Sequence, residues 1–195
     1  MGFEALRGRM DVALSMLCSC IVFMFLVTSA PISQFRGRGM NVGGASKLSC
    51  VTVWGLKNDC TANNYDYRPT SIGCARSKQL FQVSEAFYIV AVIVSFLSCL
   101  MSGLYFMGIK AKVLLVLLAV LEVGFALIPW VCMTAVWHGN YCGGSTVKIN
   151  TSSGKADGVP LGSVLRESFK ASAGYGLTVA AWCTQVIGLV LLIIM

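Results

Sequence analysis

The stretch CVTVWGLKNDC, residues 50–60, is an extended segment held between two cysteines. Its first five residues alternate between the two sides that a β-strand presents, and valine, threonine and tryptophan favour strands. Gly55 interrupts this run, and Lys57–Asp59 is typical of a turn. The pattern therefore predicts a β-hairpin, with Cys50 and Cys60 placed to close it.

The rest of the chain has the composition of a membrane protein. Of its 195 residues, 56% are apolar and 12% are charged, and its mean hydropathy is +0.76. A soluble domain carries roughly twice that charged fraction. The net charge of +7 favours an anionic membrane surface or glycans as partners. Nucleic acid is not expected, because no compact basic run is interleaved with aromatic residues.

Four apolar segments predict four membrane-spanning helices, at residues 12–32, 86–109, 113–137 and 171–195. Each has the length of about 20 residues that crosses a bilayer. The other parts are an N-terminus at 1–11, a first loop at 33–85, a turn at 110–112 and a second loop at 138–170. The predicted fold class is membrane all-α: a bundle of four transmembrane helices with a small disulfide-stapled β-sheet in the extracellular loops.

Two signals disagree about which side of the membrane the loops face. The count of basic residues favours cytoplasmic loops, although this rule weakens for long loops. Cysteines in the loops (Cys50, Cys60, Cys74 and Cys142) and the glycosylation sequon at Asn150 favour an oxidising, non-cytoplasmic side. We follow the cysteines. The expectation is a multi-pass plasma-membrane protein with both termini cytoplasmic, extracellular loops and a glycosylation site at Asn150.

Four loop cysteines allow three disulfide pairings. We prefer Cys50–Cys60, with Cys74–Cys142 joining the two loops. Closing so short a loop contributes on the order of 2–3 kcal/mol in the chain-entropy model. Within the hairpin, Trp54 has two interpretations: it anchors the hairpin on the ends of the helices, which we favour, or it projects outward as a partner contact.

Small residues at four-residue steps predict the helix contacts, because membrane helices associate through close packing. They also allow contact between subunits, and hence a homo-oligomer. The stripes comprise Ala91, Ser95, Cys99 and Gly103 in the second span and Ser172, Gly176, Ala180, Thr184 and Gly188 in the fourth.

Glu122 is an ionisable residue inside the third predicted span. Such residues are costly in a bilayer and are functional candidates by default. One interpretation is an ion or proton pathway. The other, which we favour, is a structural glutamate that is protonated or hydrogen-bonded, with Gln185 or Thr184 as its partner.

No residue pattern indicates an enzyme. The sequence has no nucleophile–base arrangement, metal cluster or phosphate loop, and its only histidine is His138. We therefore expect no catalysis and no cofactor. Two function classes remain: a surface protein whose loops contact a partner, and a small ion or proton permeability protein that works around Glu122.

The stretch 50–60 resembles the signature of the amastins, which are four-helix surface proteins of trypanosomatid parasites. The residues that carry the resemblance are Cys50, Thr52, Trp54, Gly55, Lys57, Asp59 and Cys60. Further similar segments are 31–36, 74–76, 128–130 and 180–183. The resemblance implies a surface glycoprotein with a role in host–parasite interaction. Amastins are also distantly similar to claudins, which share four helices and a large first outer loop. Claudins place a tryptophan after the Gly-Leu pair, whereas Trp54 precedes Gly55, so only the fold is implied.

Overall fold

The structure is a computed structural model, and it describes residues 3–37, 40–42, 45–47, 49–61, 63–66, 68–71, 74–109, 112–139, 141 and 161–194. Its helices are α1 (Phe3–Ser29), α2 (Ala75–Phe106), α3 (Lys112–His138), α4 (Leu161–Ser168) and α5 (Ala173–Ile194). Its strands are β1 (Phe35–Gly37), β2 (Met40–Val42), β3 (Ala45–Lys47), β4 (Cys50–Thr52), β5 (Gly55–Lys57) and β6 (Phe169–Ala171).

Three helices, α2, α3 and α5, are long and apolar enough to cross a membrane. The described apolar part of α1, Ala13–Ser29, is shorter than that length. Within the described residues, three of the four predicted spans are therefore helices of sufficient length and apolar character. Helix α2 begins at Ala75, eleven positions before the predicted span. The prediction missed its first turns because they are polar, whereas the span was predicted from an apolar stretch. Its N-terminal part lies in the stretch predicted as loop.

The chain forms two compact units. The first, which we call the helical unit, comprises Met1–Thr28, Phe87–Ile128 and Leu177–Met195. The second, which we call the sheet unit, comprises Ser29–Ala86 and Pro129–Gly176. The hairpin between Cys50 and Cys60 belongs to the sheet unit, and Glu122 belongs to the helical unit.

Four short antiparallel strands form the main sheet, in the order β5-β4-β1-β6. Strand β1 is central: Phe35 pairs with Val51 of β4 on one side and with Ala171 of β6 on the other. Strands β2 and β3 pair separately as a two-stranded sheet. The sheet therefore combines strands from both predicted loops.

The hairpin turn differs from the prediction. Thr52 pairs with Gly55, so Val53 and Trp54 form a two-residue turn, and Lys57 is the last residue of β5. The hairpin thus reverses four residues earlier than predicted, and the bend at Asn58–Asp59 follows its second strand. The physical reason is Gly55, whose φ of 144° lies in a region that favours glycine and lets the chain reverse earlier.

The buried faces of the helices repeat in alternating steps of three and four residues. This is the spacing of helices that pack at a small left-handed crossing angle, as most membrane helices do. In α2 the buried positions are Ser77, Phe81, Ser84, Tyr88, Ala91, Ser95, Ser98 and Ser102. In α5 they are Gly174, Thr178, Ala181, Gln185, Gly188 and Leu192.

This spacing explains which of the predicted small residues pack inside the chain. In α2, Ala91 and Ser95 are buried, and Gly103 is half-buried. In α5, Gly188 is buried, with the Cys18 Cβ atom 3.2 Å from where its own would lie. Gly176 has nothing within 4 Å and Ala180 is half-buried, so the four-residue step does not follow the buried face of α5. A contact between subunits through these positions stays a prediction.

Candidate functional site

The sheet unit has one apolar face, which forms its core. Leu56, Val51 and Phe35 are consecutive cross-strand partners on β5, β4 and β1. Phe35 stacks on Trp137 of α3 with their ring centroids 4.6 Å apart. The same apolar cluster includes Phe81 of α2 and residues from the second loop. The core thus joins the strands to two of the long helices and holds the sheet in a single register.

The opposite face of the sheet carries a row of basic residues. Lys57, Cys50, Arg36 and Lys170 are consecutive cross-strand partners, so their side chains point to the same side. Arg36 and Lys170 are directly opposite each other and both are exposed, and Lys57 is half-buried. We call Lys57, Arg36 and Lys170 the basic row. Like charges in direct cross-strand pairs destabilise a sheet, so an anionic partner would relieve this repulsion.

A disulfide joins Cys50 to Cys60, with their Cα atoms 5.2 Å apart. This is the pairing preferred from the sequence. Asp59, next to Cys60, accepts hydrogen bonds at Oδ1 from the Thr61 backbone N–H at 2.9 Å and from Thr61 Oγ1 at 2.7 Å. The Asp59 side chain therefore orders the turn that carries Cys60.

Trp54 fixes the hairpin tip against the end of α1. Its Nε1 donates a hydrogen bond of 2.9 Å to the carbonyl oxygen of Ala30, one residue after α1 ends. Thr52 stabilises the tip from inside: its Oγ1 accepts a bond from the Trp54 backbone N–H and donates one to the Gly55 carbonyl oxygen. The anchoring interpretation of Trp54 matches this geometry. The signature thus specifies both the turn and its attachment.

A cavity of about 550 Å³ lies beside Trp54 in the sheet unit. Its lining combines aromatic rings with charges of both signs: Trp54, Tyr65, Arg68, Pro69, Thr70 and Glu85. The Nζ atom of Lys57 lies 4.6 Å from the centroid of the Tyr65 ring, a cation–π contact. The cavity therefore adjoins one end of the basic row.

The helical unit contains a buried polar cluster around Glu122, which is 0% exposed. Glu122 Oε2 accepts a hydrogen bond of 2.8 Å from Gln185 Nε2. Ser95 and Ser98 lie close enough to interact with the same carboxyl group. Of the two partners proposed from the sequence, Gln185 is the one in contact, whereas Thr184 Oγ1 donates to the Ala180 carbonyl oxygen.

Four oxygen atoms of this cluster have no hydrogen-bond partner among the described residues. They are Glu122 Oε1, Gln185 Oε1, Ser95 Oγ and Ser98 Oγ. Buried polar atoms are nearly always paired, with protein, water or an ion, because an unpaired one is costly in an apolar medium. The cluster is thus a candidate site for a proton, a cation or water.

Two predicted site residues lie outside the described residues: the glycosylation candidate Asn150 and Cys142, the proposed partner of Cys74. Cys74 itself is disulfide-bonded. Ser172 contacts the first loop, with its Oγ 3.1 Å from Ser33 Oγ. Within the described part of the chain, no group of three or more His, Cys, Asp or Glu side chains could hold a metal ion.

The sequence did not reveal the basic row, because Arg36 and Lys170 lie in three-residue strands far apart in the chain. Only the register of β1 with β6 brings them together. Strand β1, Phe35–Gly37, has only three residues. A segment of this length is too short to indicate a strand from its sequence.

Apolar helices with a buried polar interior, together with a disulfide-stapled hairpin anchored at a helix end, define a membrane protein with a small braced sheet. A family model described as amastin surface glycoprotein matches residues 20–192. The chain belongs to the amastin family. No curated protein and no solved structure matches the chain.

Proposed function

We propose that this amastin-like protein acts at a cell surface, where its sheet unit contacts an anionic membrane or glycan, and that it does so without catalysis. The proposed setting is the plasma membrane of a parasite cell that meets a host membrane. The sheet unit lies on the extracellular side, both termini are cytoplasmic, and Asn150 is glycosylated. A claudin-like arrangement with four spans and assembly into homo-oligomers belong to the same proposal.

The burial pattern of α1 supports a fourth span. Its buried face includes Ser15 and Ser19, while Leu17 is 55% exposed and Met24 is 59% exposed. A helix that buries serine and exposes leucine and methionine suits lipid on its outside. With α1 included, four spans place the two loops that build the sheet on one side of the bilayer.

The basic row carries the proposal for the sheet unit. Three cations on one face, two of them exposed and directly opposite each other, raise the local concentration of anions near that face. Such attraction weakens with salt, because exposed charges are screened over about 10 Å at 0.1 M ionic strength. The opposite, apolar face is occupied by the core, whereas Arg36 and Lys170 on the basic face are exposed and can reach a partner.

Neutralising the basic row tests this role. We expect the double variant Arg36→Gln with Lys170→Gln to bind vesicles containing phosphatidylserine about thirtyfold less tightly than the wild type. Removing two attractive charges is expected to cost about 1 kcal/mol per charge near the surface. The measurement is vesicle co-flotation of the purified protein in nanodiscs at low salt.

The matched control is Arg76→Gln with Lys78→Gln, which removes the same charge from α2 of the sheet unit and leaves the row intact. Equal loss in both double variants would show that only net charge matters. Unchanged binding after neutralising the row, or after also neutralising Arg38 and Lys47 of the first loop, would contradict the proposal.

The polar cluster favours a second candidate function, a small permeability or homeostasis role for ions or protons. A proton on Glu122 Oε1 would turn an unpaired acceptor into a donor, and a cation would take several of the unpaired oxygens as ligands. A structural role for the Glu122–Gln185 pair explains the 2.8 Å bond equally well. Only a flux measurement separates the two.

The flux experiment uses liposomes that contain the purified protein and a pH-sensitive or cation-sensitive dye. If the second function holds, wild-type liposomes show flux and Glu122→Gln liposomes lose at least about 90% of it, since the amide cannot take up and release a proton or neutralise a cation. Wild-type flux equal to that of empty liposomes would contradict the second function. If vesicle binding were intact, the surface role would then be the only one of the two that stands.

A further inference from the structure

We propose that the polar cluster around Glu122 binds one sodium ion between α2, α3 and α5. This names the ion for the second candidate function above, and it rests on that function for any role in permeability or homeostasis. The ligands are the four side-chain oxygen atoms without a hydrogen-bond partner among the described residues: Glu122 Oε1, Gln185 Oε1, Ser95 Oγ and Ser98 Oγ. All four side chains are 2% exposed or less.

The two serines do not make the bond that hydroxyl groups often make inside a helix. Ser102 and Thr184 each donate to the carbonyl oxygen four residues before them. The hydroxyl oxygens of Ser95 and Ser98 have no such bond among the described residues, and both lie close enough to interact with the Glu122 carboxyl group. They are therefore available to a ligand held beside that carboxyl group.

Glu122 has no basic partner in the apolar segments of the helical unit. The segments 13–28, 87–109, 113–128 and 177–194 contain no lysine, arginine or histidine, and Glu122 is the only carboxylate side chain in them. A carboxylate without a counter-charge is costly in an apolar interior. Glu122 therefore holds either a proton or a metal cation.

The number of unpaired oxygen atoms favours the metal cation. A proton on Glu122 Oε1 forms one hydrogen bond, which pairs with only one of the other three oxygen atoms. A cation contacts all four at once through their lone pairs. Water also pairs with several oxygen atoms, but it leaves the charge of the carboxylate without compensation.

The ligand type and the charge select sodium. All four unpaired atoms are oxygens, which suit hard cations rather than transition metals. A monovalent ion makes the site neutral, whereas a divalent ion leaves a net positive charge in the apolar interior. Potassium is larger and is typically held by rings of backbone carbonyl oxygens, which in helices are used by the helical hydrogen bonds. Four side-chain oxygens suit the smaller ion.

The site is arranged before the ion arrives. Gln185 Nε2 donates to Glu122 Oε2 at 2.8 Å, which fixes one atom of each group and leaves the second oxygen of each for the ion. Ser95 and Ser98 are three residues apart on the buried face of α2, so both can contact the same ligand. Because the side chains are already ordered, little conformational freedom is lost on binding.

The test is equilibrium dialysis of the full chain, in an uncharged maltoside detergent, against radioactive sodium chloride with choline chloride as the background salt. We expect one saturable sodium ion per chain. Potassium should displace it at least about tenfold less effectively than unlabelled sodium does. Glu122→Gln should abolish binding, and Ser95→Ala with Ser98→Ala should weaken it at least about tenfold.

Two matched controls accompany these variants, and size exclusion confirms that each variant is folded. Glu167→Gln removes the same charge from an exposed position of α4. Ser102→Ala removes a buried hydroxyl group one turn further along α2, whose bond is made within its own helix. Both should change the sodium affinity less than about twofold.

Absence of saturable sodium binding in the folded wild type, or wild-type affinity in Glu122→Gln, would overturn the site. Wild-type affinity in the double serine variant, or equal affinity for potassium, would overturn the assignment to sodium on these four ligands. The result is distinguishable from that of the flux experiment. Sodium binding without flux contradicts only the second function, whereas proton flux that depends on Glu122 without sodium binding keeps that function and overturns the sodium site.

Discussion

Replacing both Cys50 and Cys60 by serine is expected to lower the free energy of unfolding of the sheet unit by about 2–3 kcal/mol. The disulfide closes a short loop that contains the whole hairpin, so its loss releases the unfolded chain from that constraint. A second effect adds to this one, because Cys50 is only 3% exposed and its replacement leaves a buried hydroxyl. The measurement is the thermal unfolding midpoint of the purified protein under oxidising conditions.

The control for this variant is Cys183→Ser, which removes an exposed free thiol and should leave the midpoint unchanged. A reductant alone is a poorer test, because it also acts on the disulfide of Cys74. If the double serine variant had the wild-type unfolding midpoint, Trp54 and the apolar core would hold the hairpin without a contribution from the disulfide.

Glu122→Lys is expected to prevent stable folding of the helical unit, with a cost of about 3 kcal/mol or more. The change puts an ammonium where the carboxyl is now 0% exposed, removes the acceptor for Gln185 Nε2, and supplies donors where another donor already points. A buried charge with no partner is among the most destabilising substitutions. The measurement is the yield of monodisperse protein on size exclusion, with the unfolding midpoint of what remains.

Glu122→Gln is the matched variant for this prediction. Its amide oxygen still accepts from Gln185 Nε2, and its NH₂ group can donate to the unpaired hydroxyl oxygens of Ser95 and Ser98. We expect its stability to stay within about 1 kcal/mol of the wild type. Equal yields of the lysine and glutamine variants would mean that the position tolerates a positive charge, which would contradict the expected cost.

The sequence predicted the long elements of the fold well and their packing faces less well. Apolar stretches of about twenty residues indicated the helices, and the hairpin was visible in the alternation after Cys50. The turn of the hairpin was placed four residues too late, because the lysine, asparagine and aspartate that follow Leu56 look more like a turn than Val53–Trp54 does. The chain reverses before Gly55 because Gly55 adopts a positive φ, and this angle is set by the fold.

The helix faces show a similar limit. A four-residue step through Gly176 and Ala180 looks like a contact stripe, but the buried face of α5 drifts away from it by alternating steps of three and four. The direction of that drift depends on the crossing angle with neighbouring helices, which single helices do not encode. Gln185, which contacts Glu122, could be proposed because few polar residues occur in the fourth predicted span.

The basic row and the cavity could not be predicted because both depend on contacts distant in sequence. Arg36 meets Lys170 only through the pairing of β1 with β6, and Glu85 meets Trp54 only through the helix that starts at Ala75. Strands of three residues carry almost no periodicity. Such short strands are recognised only when their partners are known.

The central position of β1 has a consequence for the order in which the protein is made. Strand β4 follows β1 closely in the chain and can pair with it early in synthesis, and β5 can then pair with β4, whereas Phe35 must wait for Ala171 much later in the chain. During that interval one edge of β1 is open, and an open edge invites pairing with other chains. The strand β6 therefore completes the pairing of β1: only a chain synthesised beyond Ala171 can present the four-stranded sheet.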